Sequence, residues 1–428
     1  MKKTKQKNIL DNLFKAFYIQ RNNEKIFVII DEYDHFANEL LGFDTDQFKT
    51  LVSKNGKVRK WYEILKKGTE TVVDRIFITG VAPITLDSLT SGFNISSDIT
   101  MSKNFNEMMG FTKNELIELM DNQEIIKEDQ EKLLPLMKEH YDGYKFSLEG
   151  KEKIYNSNMC LYLLKDYVQD RMLPAKLIDM NIASDYSKLG KMLDLCKGEN
   201  REEIISKTVS GEGIVSEITE KFNPAIGFTE KDLVSMLFYL GYLTINGEFL
   251  GKPELKIPTK GMKEIYSDYF LKVLSNETKI VVEENDYNGI LEEIAIDGKI
   301  EKITELLHKY LNNLSNRDFQ RFDEKYVKLI FYCIAMNLSF FRVKSEMEVQ
   351  RKYPDILLIP KQKQEEYYGV MVEFKYLKKE EANKLEEKKQ EAREQIKEYS
   401  EFKEIKAIPR LRKYIVIAVV DEIYVEEI

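Results

Sequence analysis

The first part of the chain contains the same apolar pattern twice. Residues 25–31 (KIFVIID) and 75–81 (RIFITGV) are continuous apolar runs. Such runs are typical of strands that are buried on both faces of a parallel sheet. Between them, Trp61, Ile64 and Leu65 lie at helical spacing. The order strand, helix, strand predicts an α/β sheet in this part of the chain.

The middle of the chain has mostly helical periodicity. It begins near residue 112, where Thr112 and Glu115 form a capping-box pattern before an apolar run. Residues 228–247 (FTEKDLVSMLFYLGYLTING) join an amphipathic helix to a strand, and a second helical pattern follows at residues 254–270. A helix, a short hairpin and another helix indicate a winged-helix-like module.

The C-terminal part alternates between helix and strand. A long amphipathic helix is predicted at residues 321–338, and strands follow at residues 340–350, 355–361, 367–377 and, after a charged helix, 412–420. We therefore predict a multi-domain α/β protein with an ATPase-like α/β domain (1–120), a helical and winged-helix-like region (121–280) and a C-terminal α/β domain (285–428).

Composition narrows the chemistry that these domains can perform. The 428 residues include three separated cysteines and three histidines, so zinc and thiol chemistry are disfavoured and a metal should be held by carboxylates. The net charge of -8 limits nucleic-acid contact to local basic patches. The chain has no run of about 18 apolar residues and no secretion signal, so we expect a cytoplasmic protein without a membrane partner.

Candidate catalytic residues lie on two consecutive predicted strands. Asp355 opens the first strand, while Glu373 and Lys375 are two residues apart on the second and therefore share one face. Burying two carboxylates and a lysine together is unfavourable unless they bind something, and Mg²⁺ prefers such oxygen ligands. The alternative is an exposed edge hairpin with ordinary surface charges, since Glu-x-Lys also occurs in charged context at Glu401 and Glu404.

Three further side chains are expected to assist this site. Glu346, on the preceding strand, and Glu324, on the long helix, are candidates for additional oxygen ligands. Gln395, on the charged helix, is a candidate for positioning a water molecule or a phosphate. The chemistry expected from the whole set is metal-assisted phosphodiester hydrolysis, in which Lys375 positions or polarises the attacking water.

At these residues the chain resembles the PD-(D/E)XK nuclease superfamily. The pattern consists of Pro354-Asp355 followed by Glu373-Phe374-Lys375, and the resemblance covers about residues 285–428. It implies that Asp355 and Glu373 bind Mg²⁺ or Mn²⁺ and that Lys375 assists hydrolysis, with looser matches at Glu324 and Gln395. The segment QRKYPD, where a Gly-Arg pair is more usual, departs from the family pattern.

The run FVIIDEYD is typical of a Walker B strand, in which Asp31 would hold the Mg²⁺ shell and Glu32 would orient water. A buried strand that ends in helix-capping acids is the alternative. Together with RIFITGVAPITLDSLTSGFNISSDIT, FNEMMGFTKNEL, YDGYKF and IYNS, the run resembles a bacterial AAA-ATPase-like family that typically has the nuclease fold at its C-terminus. This resemblance covers about residues 8–160 and implies that Thr79 senses the γ-phosphate.

The sequence contains no GxxxxGK[ST] motif, so we expect ATP binding only if a missing P-loop segment is supplied, for example by an upstream polypeptide. The leading expectation is a Mg²⁺-dependent nuclease acting on DNA, attached to an incomplete ATPase module. The alternatives are a catalytically silent DNA-binding protein and a nucleotide-switched regulatory protein. The sequence leaves the oligomeric state undetermined, and a homo-oligomer is one of the alternatives.

Overall fold

The structure is a computed structural model of a mixed α/β chain. It describes residues 5–20, 24–33, 57–80, 83, 95–174, 177–178, 200–220, 222, 229–314, 323–345 and 353–428. Within these ranges, none of the helices combines the length and the apolar character needed to cross a membrane.

The N-terminal part confirms the predicted order of strand, helix and strand. Val73 begins the second strand, which pairs in parallel with the first, and Ile30 lies opposite Ile78. Phe14 and Leu65, from the two helices, are buried in the core that covers one face of this sheet. The elements are α1 (Lys5–Gln20), β1 (Ile26–Ile30), α2 (Lys57–Thr69) and β2 (Val73–Ile78).

Burial on both faces was the wrong expectation for these two strands. Residues in β1 alternate between partly buried and exposed, and the side chains of Phe27 and Ile29 are 67% and 75% exposed. Among the described residues, α1 and α2 pack on the side of Val28 and Ile30, and Phe27 and Ile29 point to the other face because side chains alternate along a strand.

The next part is a helical unit with a small hairpin. Its first helix begins with the predicted capping box, in which Thr112 and Glu115 exchange hydrogen bonds. Gly143 lies in the hairpin at a φ of +153°, and a Cβ placed there would lie 1.9 Å from the carbonyl oxygen of Pro258. The elements are α3 (Lys113–Asn122), α4 (Lys127–Tyr141), β3 (Asp142–Tyr144), β4 (Ile154–Tyr155) and α5 (Ser157–Asp170).

A three-stranded antiparallel sheet follows, in the strand order β5-β7-β6. A helix enters its hairpin and another leaves it, as the sequence predicts. The helix that enters, α7, is buried from Leu233 to Phe238 and therefore packs inside the protein. The elements are α6 (Asn200–Val209), β5 (Ile214–Val215), α7 (Glu230–Tyr239), β6 (Thr244–Phe249), β7 (Lys252–Lys256) and α8 (Lys260–Thr278).

The C-terminal part is built on a five-stranded mixed sheet with the strand order β12-β11-β10-β9-β8. Strands β9 and β10 form the predicted antiparallel hairpin, whereas β10 and β11 run parallel. The elements are α9 (Glu284–Glu292), a π-helix (Glu293–Asp297), α10 (Glu301–Asn313), α11 (Glu324–Met336), β8 (Phe341–Ser345), β9 (Ile356–Pro360), β10 (Gly369–Leu377), a 3₁₀ helix (Lys379–Lys384), α12 (Leu385–Ser400), α13 (Lys403–Lys406), β11 (Leu411–Val419) and β12 (Glu422–Glu427).

The two faces of this sheet are covered by different helices. Phe374 of β10 meets Phe331 of α11 edge to face, with 5.1 Å between ring centroids. Met371 of β10 packs with Ile396 of α12 on the opposite face. The α11 side continues into the core of the middle region, where Phe270 of α8 lies against α11. Helix α11, which the sequence predicts as amphipathic, is thus buried from Leu329 to Ala335.

Candidate metal-dependent active site

Asp355 lies immediately before β9, next to the middle of β10. The pairing of these strands ends where Val372 faces Ile356, and two residues further along β10 the backbone N–H of Phe374 donates to Asp355 Oδ2 at 2.7 Å. Asp355 as a whole residue is 4% exposed. The carboxylate therefore replaces the next backbone acceptor of the ladder, which holds it at a defined position beside Glu373 and Lys375.

Glu373 and Lys375 point to the α12 face of the sheet. Met371 and Leu377, which lie two residues before Glu373 and two residues after Lys375 on β10, belong to the core on that face. Both side chains are buried, and Lys375 Nζ lies 3.0 Å from Glu373 Oε1. An exposed hairpin with surface charges is therefore the wrong alternative, because all three residues of the predicted cluster are less than a tenth exposed.

Burial changes the proton affinity of the two carboxyl groups. It raises the pKa of Asp355 to about 6, although the ammonium of Lys328 opposes this shift. It also raises the pKa of Glu373 to about 7, and the charge of Asp355 adds to the increase. Binding of a cation at these oxygens would therefore be coupled to release of a proton near neutral pH.

Lys328 of α11 is a member of the site that the sequence analysis missed. Its ammonium lies 2.5 Å from Asp355 Oδ1 and 2.9 Å from Glu324 Oε1. Burial alone would lower the pKa of Lys328, but the two carboxylates outweigh burial and raise that pKa. A signal was present, because a lysine between Val327 and Leu329 in a buried helix needs a charged partner.

Glu324, which was expected to supply an oxygen ligand, therefore reaches the site through Lys328. It contacts the ammonium of Lys328, four residues later on the same helix, and its side chain is 36% exposed. Glu346, the other predicted auxiliary carboxylate, lies outside the described residues.

Helix α12 brings two more polar side chains to the sheet. Glu391 Oε1 lies 3.9 Å from Lys375 Nζ, so this glutamate is a second member that the sequence analysis missed. Gln395 follows one helical turn later and therefore shares that face of the helix. Its Oε1 is buried and accepts no hydrogen bond from the described residues. This open acceptor is compatible with the expected role of Gln395 in holding a water molecule.

The donor atoms of the cluster suit a hard divalent cation. Glu373 Oε2 is buried and has no hydrogen-bond partner among the described residues, so an oxygen ligand is open there. Within that part of the chain, no group of three or more His, Cys, Asp or Glu side chains is arranged to hold a metal. Two carboxylates are nevertheless sufficient for Mg²⁺ or Mn²⁺ when water and phosphate complete the shell. Asp355 and Glu373 therefore fit the expected ion.

The predicted nucleotide-site residues lie at the carboxyl ends of β1 and β2. The hydroxyl of Thr79 donates to Asp31 Oδ1, and the backbone N–H of Thr79 donates to the carbonyl oxygen of Ile30 at 2.8 Å. Glu32 follows with a φ of +51°, in the left-handed region, and its backbone N–H donates to Asp31 at 3.0 Å. The structure thus brings Asp31, Glu32 and Thr79 together at one end of the parallel strand pair.

Two family models match parts of this chain. Residues 1–90 match the model described as Predicted AAA-ATPase, and residues 322–426 match the model of the PD-(D/E)XK nuclease superfamily. The second match contains Lys328, Asp355, Glu373, Lys375 and Glu391. A search of curated proteins found no match to the chain. Segments that are similar to these two families are thus combined in one polypeptide.

Proposed function

We propose that this chain, whose residues 322–426 match the PD-(D/E)XK nuclease superfamily, hydrolyses phosphodiester bonds of DNA with Mg²⁺ or Mn²⁺. The observation that carries the proposal is the buried convergence of Asp355, Glu373 and Lys375 across two adjacent strands. Such a set of charges destabilises a fold unless a ligand binds to it.

Each side chain has a defined part in this reaction. Asp355 and Glu373 would hold the cation through Asp355 Oδ1 and Glu373 Oε2. The bound ion would neutralise charge at the scissile phosphate and make water more nucleophilic. Lys375 is held by Glu373 and lies near Glu391, so its ammonium is positioned to donate to a phosphate oxygen or to the attacking water.

The test is cleavage of plasmid, linear duplex and single-stranded DNA, with RNA as a parallel substrate, in Mg²⁺ or Mn²⁺. The chain offers a matched control, because the second EFK tripeptide (Glu401, Phe402 and Lys403) has the same residues in an exposed setting. We expect Lys375→Ala to abolish cleavage and Lys403→Ala to retain it. If the wild-type protein shows no cleavage above the Lys375→Ala background in either metal, the proposal is wrong.

DNA binding without cleavage is the outcome that supports the silent alternative. It would appear as salt-sensitive binding of labelled duplex that Lys375→Ala does not change. Helix α7 gives this alternative little support as a groove-reading element, because its residues from Leu233 to Phe238 are buried.

The hydrogen bond between Thr79 and Asp31 favours one second candidate function, a nucleotide-responsive module that regulates the nuclease. Ligands of α/β sheets bind at the carboxyl ends of the strands, where these two side chains lie. Since no GxxxxGK[ST] motif occurs in the sequence, we expect no calorimetric binding of ATP-Mg²⁺ by this chain alone. ATP binding that Asp31→Ala removes would contradict the need for a supplied P-loop.

A further inference from the structure

Both oxygens of Asp355 are already occupied in the structure. Oδ2 accepts the backbone N–H of Phe374 at 2.7 Å, and Oδ1 contacts the ammonium of Lys328 at 2.5 Å. The hydrogen bond from Phe374 belongs to the strand pairing and stays in place. A divalent cation that binds Asp355 through Oδ1 therefore meets the Lys328 ammonium at that oxygen.

Lys328 has a second partner toward which it can move. Glu324 Oε1 lies 2.9 Å from Lys328 Nζ, one helical turn earlier on α11. Glu324 is 36% exposed, whereas Asp355 is 3% exposed as a side chain, so a shift toward Glu324 moves the ammonium toward solvent. The long, flexible stem of lysine allows such a shift without a change in the helix backbone.

We propose that Lys328 holds the place of a divalent cation at Asp355, and that metal binding requires its ammonium to move onto Glu324. This inference rests on the proposed metal site. It assigns to Lys328 the role of a competitor that neutralises Asp355 in the metal-free protein and lowers the apparent metal affinity. The apparent affinity for the metal equals the intrinsic affinity multiplied by the fraction of molecules in which Lys328 has left Asp355.

The experiment is a titration of the full chain with Mn²⁺ alone, followed by calorimetry or by the electron paramagnetic resonance signal of free Mn²⁺. Lys328→Met keeps much of the apolar stem and removes the charge, so we expect the Kd for Mn²⁺ to fall roughly tenfold. Lys325→Met on the same helix is the matched control, because Lys325 is exposed and pairs with Glu212. The Kd of the Lys325→Met variant for Mn²⁺ should equal that of the wild-type protein.

Glu324→Gln tests the second half of the inference. Removing the alternative partner should weaken Mn²⁺ binding several-fold in the wild-type background and have no effect in a Lys328→Met background. An equal loss in both backgrounds would mean that Glu324 acts on the metal directly, and it would overturn the proposed movement. If Lys328→Met does not fold, Lys328→Gln replaces it, since its amide removes the charge and keeps only a weaker, neutral hydrogen bond that a cation displaces.

Failure of this inference differs from failure of the proposed function. Unchanged or weaker Mn²⁺ binding by the Lys328 variants would overturn the competitor role while leaving the metal site intact. Asp355→Asn is the reference for the site itself and should abolish binding. If Asp355→Asn binds Mn²⁺ as tightly as the wild-type protein, the metal site is wrong and the role of Lys328 is wrong with it.

Discussion

Asp355 is tied to the backbone of Phe374 and not only to charged side chains. The N–H of Phe374 donates to Asp355 Oδ2, whereas Oδ1 faces Lys328. The carboxylate thus satisfies a buried peptide group of β10 and the ammonium of Lys328 at the same time. Removing it leaves the N–H of Phe374 without this acceptor and leaves Lys328 with Glu324 as its carboxylate partner, whereas the carbonyl oxygen of an asparagine still accepts from Phe374.

The first prediction compares these two substitutions. We expect Asp355→Ala to lower the free energy of unfolding by about 3 kcal/mol, because it leaves a buried N–H without its acceptor and removes one of the two carboxylates that neutralise Lys328. Asp355→Asn should destabilise clearly less, since the carboxamide oxygen still accepts from Phe374. Urea denaturation of both variants in EDTA measures the difference. Equal losses would show that the hydrogen bond to Phe374 contributes little.

The second prediction concerns pH. Burial raises the pKa of Glu373 to about 7 from 4.5. Between these two values the folded protein retains a proton that the unfolded chain releases, and this retained proton stabilises the folded state. The stabilisation is fully present below pH 4.5 and is lost as pH rises through 7. In EDTA, we expect the Tm to fall between pH 5 and pH 8 and Glu373→Gln to reduce that fall.

The glutamine variant should also be more stable than the metal-free wild-type protein at pH 8, on the order of 2 kcal/mol. Glu401→Gln, in the second EFK tripeptide, is the control and should leave the pH dependence nearly unchanged. A Glu373→Gln variant with the wild-type pH slope would contradict the raised pKa of this residue.

The third prediction compares two glycines that both have positive φ. Gly143→Ala places a methyl group against the carbonyl of Pro258, and we expect a loss of about 3 kcal/mol or more. Gly251, in the turn between β6 and β7, has a φ of +80° and no atom within 4 Å of an added Cβ. Gly251→Ala should therefore cost only about 1 kcal/mol. Thermal unfolding distinguishes the two, and similar losses would contradict the close contact with Pro258.

The fourth prediction uses the central phenylalanines of the two EFK tripeptides. Phe374 is fully buried against Phe331, so Phe374→Ala should lower the free energy of unfolding by about 3–5 kcal/mol. Phe402 is only partly buried beside Tyr399, and Phe402→Ala should cost about 1–2 kcal/mol. Denaturant unfolding in EDTA gives both values. If Phe402→Ala destabilised the protein more than Phe374→Ala, the core around α11 would tolerate the cavity that Phe374→Ala leaves.

The sequence was most informative about the C-terminal hairpin. Apolar runs bounded by Asp355 and by the Glu373-x-Lys375 pair predicted both the strands and the face that the charged residues share, because strand periodicity is local. It could not predict that Asp355 is the partner of Lys328, because this contact depends on how α11 crosses the end of the sheet. That crossing is a tertiary property.

The N-terminal strands show a different limit. The strand expected at residues 75–81 begins at Val73 and ends at Ile78, since Asp74 and Arg75 are tolerated at exposed strand positions. The parallel pairing was predicted correctly. The burial of these strands was not predicted correctly. An apolar residue at a strand position indicates a strand but does not indicate that another layer covers it, and exposed Phe27 is an example.

The core on the α11 side of the C-terminal sheet runs without interruption into the middle of the chain, from Ile204 to Ala418. Helix α11 lies between α8 and β10, and it brings Lys328 from this shared interior to Asp355 in the candidate site. The two regions should consequently melt in one cooperative transition, because opening either exposes the apolar surface of the other. A ligand held by the carboxylates should therefore slow hydrogen exchange in α8, although α8 contributes no side chain to the site.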